Sequence, residues 1–145
     1  MRFPSYFSRF DQSETIRNAK QLLQDYPHYK RLELATRPTL HSPQIDCMPP
    51  NHSAENGMEN AMIRHVYFVV YVSACERTIA NLPNDMDRKI LKTRYLDGHT
   101  DSYTMKQVGL EHSAYGDAKN QALIAFAELC PPLPDYGQLI VYRSS

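Results

Sequence analysis

Between Met58 and Leu82 nothing turns the chain: Gly57 is the last glycine before this stretch and Pro83 the first proline after it. A run of that length is enough for about six helical turns, whereas strands usually end within ten residues. Its middle reads Val66-Tyr67-Phe68-Val69-Val70-Tyr71-Val72, a row of β-formers, so a buried seven-residue strand is the rival assignment. Length and the lack of turn residues favour a helix ending before Pro83, with Glu59 near its start favouring the dipole. Such a helix is apolar on more than one face and needs two partners, the chain's own core and a second copy. The spacing predicts a homodimer contact through this 58–82 helix at Tyr67 and Tyr71. Seven apolar residues fall far short of the roughly 20 that span a bilayer, so no membrane segment is expected.

The flanks are arranged around this helix. Over residues 1–37, Ile16, Ala19, Leu22, Leu23 and Tyr26 recur at helical spacing after Ser13, a candidate N-cap. Pro27 predicts a break or kink there, with a weaker stripe resuming at Tyr29, Leu32 and Ala35. Residues 38–57 carry Pro38, Pro43, Pro49 and Pro50 without a helical period and read as a linker. Residues 83–130 hold three helical stripes. Leu82, Met86, Ile90 and Leu91 lead to Tyr95, Leu96 and a turn at Asp97-Gly98. Asp101 is placed to cap a short helix ending at Gly109, and Ser113 to cap a longer one carrying Tyr115, Ala118, Ala122, Leu123, Phe126 and Leu129 up to Pro131. Residues 131–145 form a tail whose Leu139–Tyr142 run resembles a short strand; it either packs on the helices, pairs with another chain or stays loose. The expected fold class is all-α.

Little enzyme chemistry is legible. The five glycines form no phosphate-binding loop or dinucleotide fingerprint, and no Ser or Cys has a nucleophile signature. Cys47 and His52, with His41 nearby, lack a fourth ligand at zinc spacing, so neither metal nor cofactor is expected. Three cysteines without a C-x-x-C pair fit reduced thiols in a cytoplasm, with Cys75 and Cys130 buried as small apolar residues. Formal net charge is +0, so any attraction to nucleic acid must be local.

A short helix joined through a glycine turn to a longer one is the pattern of a helix-turn-helix, whose second helix enters the DNA major groove. The stretch LPNDMDRKILKTRYLDGHTDSYTMKQVGLEHSAYGDAKNQALIAFAEL resembles region 4 of bacterial sigma factors. Together with NAKQLLQDYPHYKRLEL, SPQIDCMPPN and ENAMIRHVYFVVYVSACERTIANLPN, it makes the chain resemble the ArpU family of phage and prophage transcriptional regulators over about residues 15 to 130. That resemblance implies a non-enzymatic regulator of late or lysis-related genes that binds double-stranded DNA. By position it makes Tyr103–Gly109 the bracing helix and Ser113–Leu129 the recognition helix. Base contacts then fall to Ser113, Ala114, Tyr115, Asp117, Lys119 and Asn120, and phosphate contacts to Arg88, Lys89, Lys92, Arg94 and Lys106. Members of the family usually carry several basic residues in the recognition helix; here Asp117 offsets Lys119, and Gly116 lowers helix propensity by about 1 kcal/mol relative to Ala. Those differences favour the alternative: a helical module that binds a protein, such as RNA polymerase or a phage packaging component, without reading DNA.

Overall fold

A computed structural model describes residues 10–37 and 52–142, with the side chains of 52–56 and 58 left aside. Among the described residues the fold is all-α. Five helices follow in order: α1 (Gln12–Thr36), α2 (His52–Ala80), α3 (Asp85–Leu91), α4 (Asp101–Val108) and α5 (His112–Leu129). A π-type turn over Lys92–Leu96 extends α3, with the Asp97 N–H donating to the Lys92 carbonyl five residues back at 2.8 Å.

Three expectations for helix starts and breaks are corrected. The N-cap of α1 is Asp11, whose carboxylate accepts the Glu14 N–H at 3.1 Å, so Ser13 lies inside the helix. α1 also runs unbroken through Pro27. Leu22, Leu23 and Tyr26 are buried just before Pro27 while Pro27 itself is exposed. Packing of that face holds the helix together although Pro27 removes the intrahelical donor to the Leu23 carbonyl. α2 starts at His52 rather than Met58, which places its first turns inside the stretch read as linker; residues 38–51 lie outside the described residues.

α2 is a helix rather than a strand, and its middle is apolar on more than one face. Phe68, Tyr71, Val72, Ala74, Cys75 and Ile79 face inward, while Met62, Ile63, Val66 and Val70 are 45–61% exposed. Of the two tyrosines expected at a dimer contact, one lies in the interior and the other, Tyr67, is half-buried at its edge. Tyr71 is fully buried, stacked on Tyr29 at 4.4 Å between ring centroids, and its hydroxyl accepts the Asp135 N–H at 2.9 Å. Tyr67 donates to the Asp135 carboxylate, and that hydrogen bond, followed by the one to Tyr71, raises its pKa above the ordinary tyrosine range.

α1 is not a separate unit, because Ala19, Leu22, Leu23 and Tyr26 share one hydrophobic cluster with α2, α3 and α5. Cys75 and Cys130 are buried free thiols in that cluster, and burial pushes the Cys130 thiol up to about 11. The tail packs on the helical body. Leu133 and Leu139 are buried, Phe10 and Tyr142 form an antiparallel bridge, and the Asp11 N–H donates to the Val141 carbonyl at 2.8 Å. Thr15, fully buried, accepts the Val141 N–H at 3.0 Å, and the Asn18 amide donates to the Leu139 carbonyl at 3.2 Å. The strand-like run is therefore one bridge held by α1, without a sheet among the described residues.

Candidate nucleic-acid interface

The α4–α5 corner is set by Gly109, whose φ of 71° lies in the left-handed region that a side chain disfavours. Its N–H and that of Leu110 both reach the Met105 carbonyl, at 2.9 and 3.1 Å, and end α4 where the sequence places its stop. The caps differ from expectation. Thr100, rather than Asp101, caps α4 by accepting the Tyr103 N–H at 3.2 Å, and α5 begins at His112 after Glu111 without a side-chain cap.

Freed from capping, Asp101 does something else. Its Oδ1 accepts from the Tyr115 hydroxyl at 2.7 Å, the Lys119 ammonium at 3.0 Å and the Arg94 Nε at 3.1 Å. One carboxylate thus ties the π-type turn, the start of α4 and the second turn of α5 together. Partial burial pushes the Asp101 pKa up, but the bonds from Tyr115 and Lys119 and the charges of Lys119 and Arg94 outweigh it and hold the carboxyl below its ordinary value. For Lys119 the balance is reversed: desolvation lowers its pKa more than Asp101 raises it, and the nearby Lys20 and Arg94 charges push the same way. Tyr115 is driven upward, by burial first and then by its bond to Asp101. The Tyr95 hydroxyl is buried without a hydrogen-bond partner, burial raises its pKa to about 12, and its ring lies 5.1 Å from the Arg94 guanidinium carbon and 5.5 Å from the Lys119 nitrogen.

This geometry divides the eleven candidate contact residues. Ser113, Ala114, Asp117 and Asn120 are exposed over the first turns of α5 and stand on one side of it. Tyr115 and Lys119, 4% and 8% exposed, are removed from the base-contact set because their polar atoms already engage Asp101. The stripe from Tyr115 through Lys119, Ala122 and Phe126 follows i, i+4, i+7 and i+11, a buried-face period that contained this signal. Leu123 and Ala127 extend that buried surface, Ile124 is buried on the other side of the helix, and Leu129 is 48% exposed.

The basic candidates also separate. Arg94 is committed to Asp101 and to the His99 carbonyl at 3.3 Å. Arg88 donates to the Leu82 carbonyl and to Asp85 at 2.6 Å, so it ties α3 to the end of α2. Lys89 and Lys92 rim a groove of about 370 Å³ floored by Ile79, Ala80 and Leu96, on the α2 side of α3. Lys92 also lies 3.4 Å from Asp97. Lys106 is exposed on α4.

Sequence reasoning missed a second cavity, of about 330 Å³, lined by Lys20 of α1, Asp101 and Ser102 of α4, and His112, Lys119 and Asn120 of α5. Lys20 was legible only as a residue on a polar helix face, because its neighbours come from chain segments far away. An exposed stack of His99 on Tyr103, 4.0 Å between ring centroids, stands beside the start of α4 and was likewise unanticipated. Cys47 and His41 lie outside the described residues. Among those described, no group of three His, Cys, Asp or Glu is placed to hold a metal, and no helix is long and apolar enough to cross a membrane.

No family model matches the chain, and no solved structure matches it significantly. One curated relative does: a Streptococcus phage O1205 protein named as an autolysin regulatory protein, ArpU, is 26% identical over 136 residues, covering 92% of this chain and 96% of that protein. The similarity runs nearly end to end, through α1, α2 and the α4–α5 corner alike, and so the chain resembles the ArpU family along its whole length.

Proposed function

We propose that this chain is a non-enzymatic phage or prophage regulator that binds double-stranded DNA, placing the first turns of α5 in the major groove as the second helix of a helix-turn-helix. One observation carries the reading: α5 turns Tyr115, Lys119, Ala122, Leu123 and Phe126 into the core while its first turns present Ser113, Ala114, Asp117 and Asn120 to solvent behind a Gly109 corner. That arrangement supports presentation of a rigid helix end to a groove. Asn120 is suited to adenine, Ser113 to any base, Ala114 to the thymine methyl and Asp117 to a cytosine amino group, so a neutral recognition surface can read base edges. Lys106 keeps its role as a phosphate contact, while Arg88 and Arg94 act as internal ties. The regulator reading also draws support from the name of the phage relative.

Selection of the purified chain against a random pool of DNA duplexes at physiological salt tests this. An enriched motif is expected, and its loss of preference at one position in Asn120→Ala identifies the reading helix. No enrichment by folded protein overturns the proposal.

A second interface is favoured by a separate observation, the exposed Met62, Ile63, Val66 and Val70 of α2. We propose a second copy as its occupant. In an antiparallel pairing centred on Val66, Met62 of one copy meets Val70 of the other, so the stripe is self-complementary, as a two-fold contact requires. Contact with RNA polymerase is the alternative use of the chain, and the apolar groove with basic rim at Lys89 and Lys92 is where it would fall.

A further inference from the structure

The cavity between α1 and the α4–α5 corner holds more positive charge than its own carboxylate can balance. Its lining contains Lys20, Lys119 and Asp101, and Arg94 also bonds to Asp101. Two cations, Lys119 and Arg94, bond to one anion, and Lys20 adds a third positive charge to the same lining. Asp101 is saturated on Oδ1 by Tyr115, Lys119 and Arg94, and Lys119 is fixed in the floor at 8% exposure. Lys20 stands at the mouth, exposed, on a helix packed against α5. Beside it are the Ser102 hydroxyl, the Asn120 amide and the His112 ring, all exposed and all able to donate.

From this juxtaposition we propose that the cavity is a backbone-phosphate subsite, in which Lys20 of α1, with Ser102 and Asn120, holds a DNA phosphodiester beside the groove entered by α5. The inference rests on the DNA-binding reading and deepens it. A phosphodiester fits because it brings one negative charge and two acceptor oxygens to a place with surplus cations and several donors. Lys20's charge already disfavours protonation of Lys119, and an anion at the mouth removes that conflict. Asn120 stands at the boundary of the two sites, one edge toward the bases and one toward the cavity. Residues of α1 and of the corner thereby act on the same duplex, which fixes the orientation of α5 without reading sequence.

The test is the salt dependence of affinity for a DNA duplex, the selected one or a random-sequence duplex at low salt, with Lys20→Gln, Lys20→Arg and Arg31→Gln beside the unaltered protein. Arg31 lies exposed on α1 outside the lining of this cavity, so its variant removes the same charge elsewhere. Lys20→Gln is expected to weaken binding about three- to tenfold for every sequence and to flatten the slope of log affinity against log salt by about one unit. Lys20→Arg should retain the slope, and Arg31→Gln should leave it unchanged. Binding by the unaltered protein with an unchanged slope in Lys20→Gln overturns the subsite alone, as does an equal loss in Arg31→Gln. Failure of the unaltered protein to bind any duplex overturns the DNA-binding reading and the subsite with it.

Discussion

α2 and α5 are each half committed to the core, but the halves they leave outside differ in kind. α5 leaves polar groups outside in its first turns, Ser113, Asp117 and Asn120, whereas α2 leaves Met62, Ile63, Val66 and Val70. A polar helix end is content in water and can exchange its water for base edges or phosphates. An apolar stripe loses free energy in water until another apolar surface covers it. The contrast teaches that exposure alone does not define an interface; what the exposed atoms do in water decides which kind of partner suits them.

The largest expected effect comes from the buried half of α5. Phe126 is fully buried in the shared cluster, so Phe126→Ala should lower stability by about 3–5 kcal/mol through lost transfer energy and a residual cavity. The exposed half should be nearly silent by the same measure, with Asn120→Ala changing stability by no more than about 0.5 kcal/mol. Urea unfolding of the two variants checks the division of α5, and comparable losses in both would remove it.

The next largest effect lies where the two halves of α5 meet. Asp101→Asn leaves the mostly buried Lys119 ammonium without its counter-charge, and because Asp101 itself is about half exposed the cost is moderate, about 1–3 kcal/mol. The pH dependence has a definite sign. The folded Asp101 pKa is below its unfolded value, so its stabilisation is fully present above the unfolded pKa and is lost as pH falls through the depressed folded one. Acid unfolding of the unaltered protein should therefore steepen below about pH 4, and Asp101→Asn should show a flatter profile in that range. Parallel profiles for the two proteins would show that Asp101 does not hold the corner.

How much of this was legible in the sequence depends on the range of the cause. The α4–α5 corner follows from Gly109, a local conformational requirement that one residue announces. The all-α fold follows likewise from periods of three and four within each segment. Tyr115 and Lys119 differ from the expectation because the resemblance assigns base contacts by position along α5, whereas their spacing from each other and from Ala122 puts them on the buried face. Pro27, expected to split or kink α1, does not split it, because the packing of Leu22, Leu23 and Tyr26 keeps the helix in one piece. Asp101 is legible only as a cap, because its bonds to Arg94, Tyr115 and Lys119 join three separate elements. Lys20 lies about eighty to a hundred positions from the corner residues that line the same cavity, and only the packing of α1 on α5 brings it there.

The smallest effect on stability, with the largest on assembly, is expected in the exposed half of α2. Val66 is 57% exposed and lies at the centre of the proposed self-pairing, so Val66→Asp should change the stability of a single copy by no more than about 0.5 kcal/mol. In a two-fold antiparallel contact the same substitution places two carboxylates against each other in an apolar seam, a like-charge clash that a dimer cannot relieve by shifting one turn, because Met62 and Val70 then lose their partners. Sedimentation equilibrium over a micromolar range should show a dimer for the unaltered chain and a monomer for Val66→Asp, with helical content unchanged. A monomer for both would leave the α2 stripe to a different protein and make the α5 surface act singly on DNA; a dimer for both would place the self-contact elsewhere. A dimer lost in Val66→Asp while the enriched DNA motif shrinks from two half-sites to one would join the two exposed halves into one device, α2 setting the spacing and α5 reading each half-site.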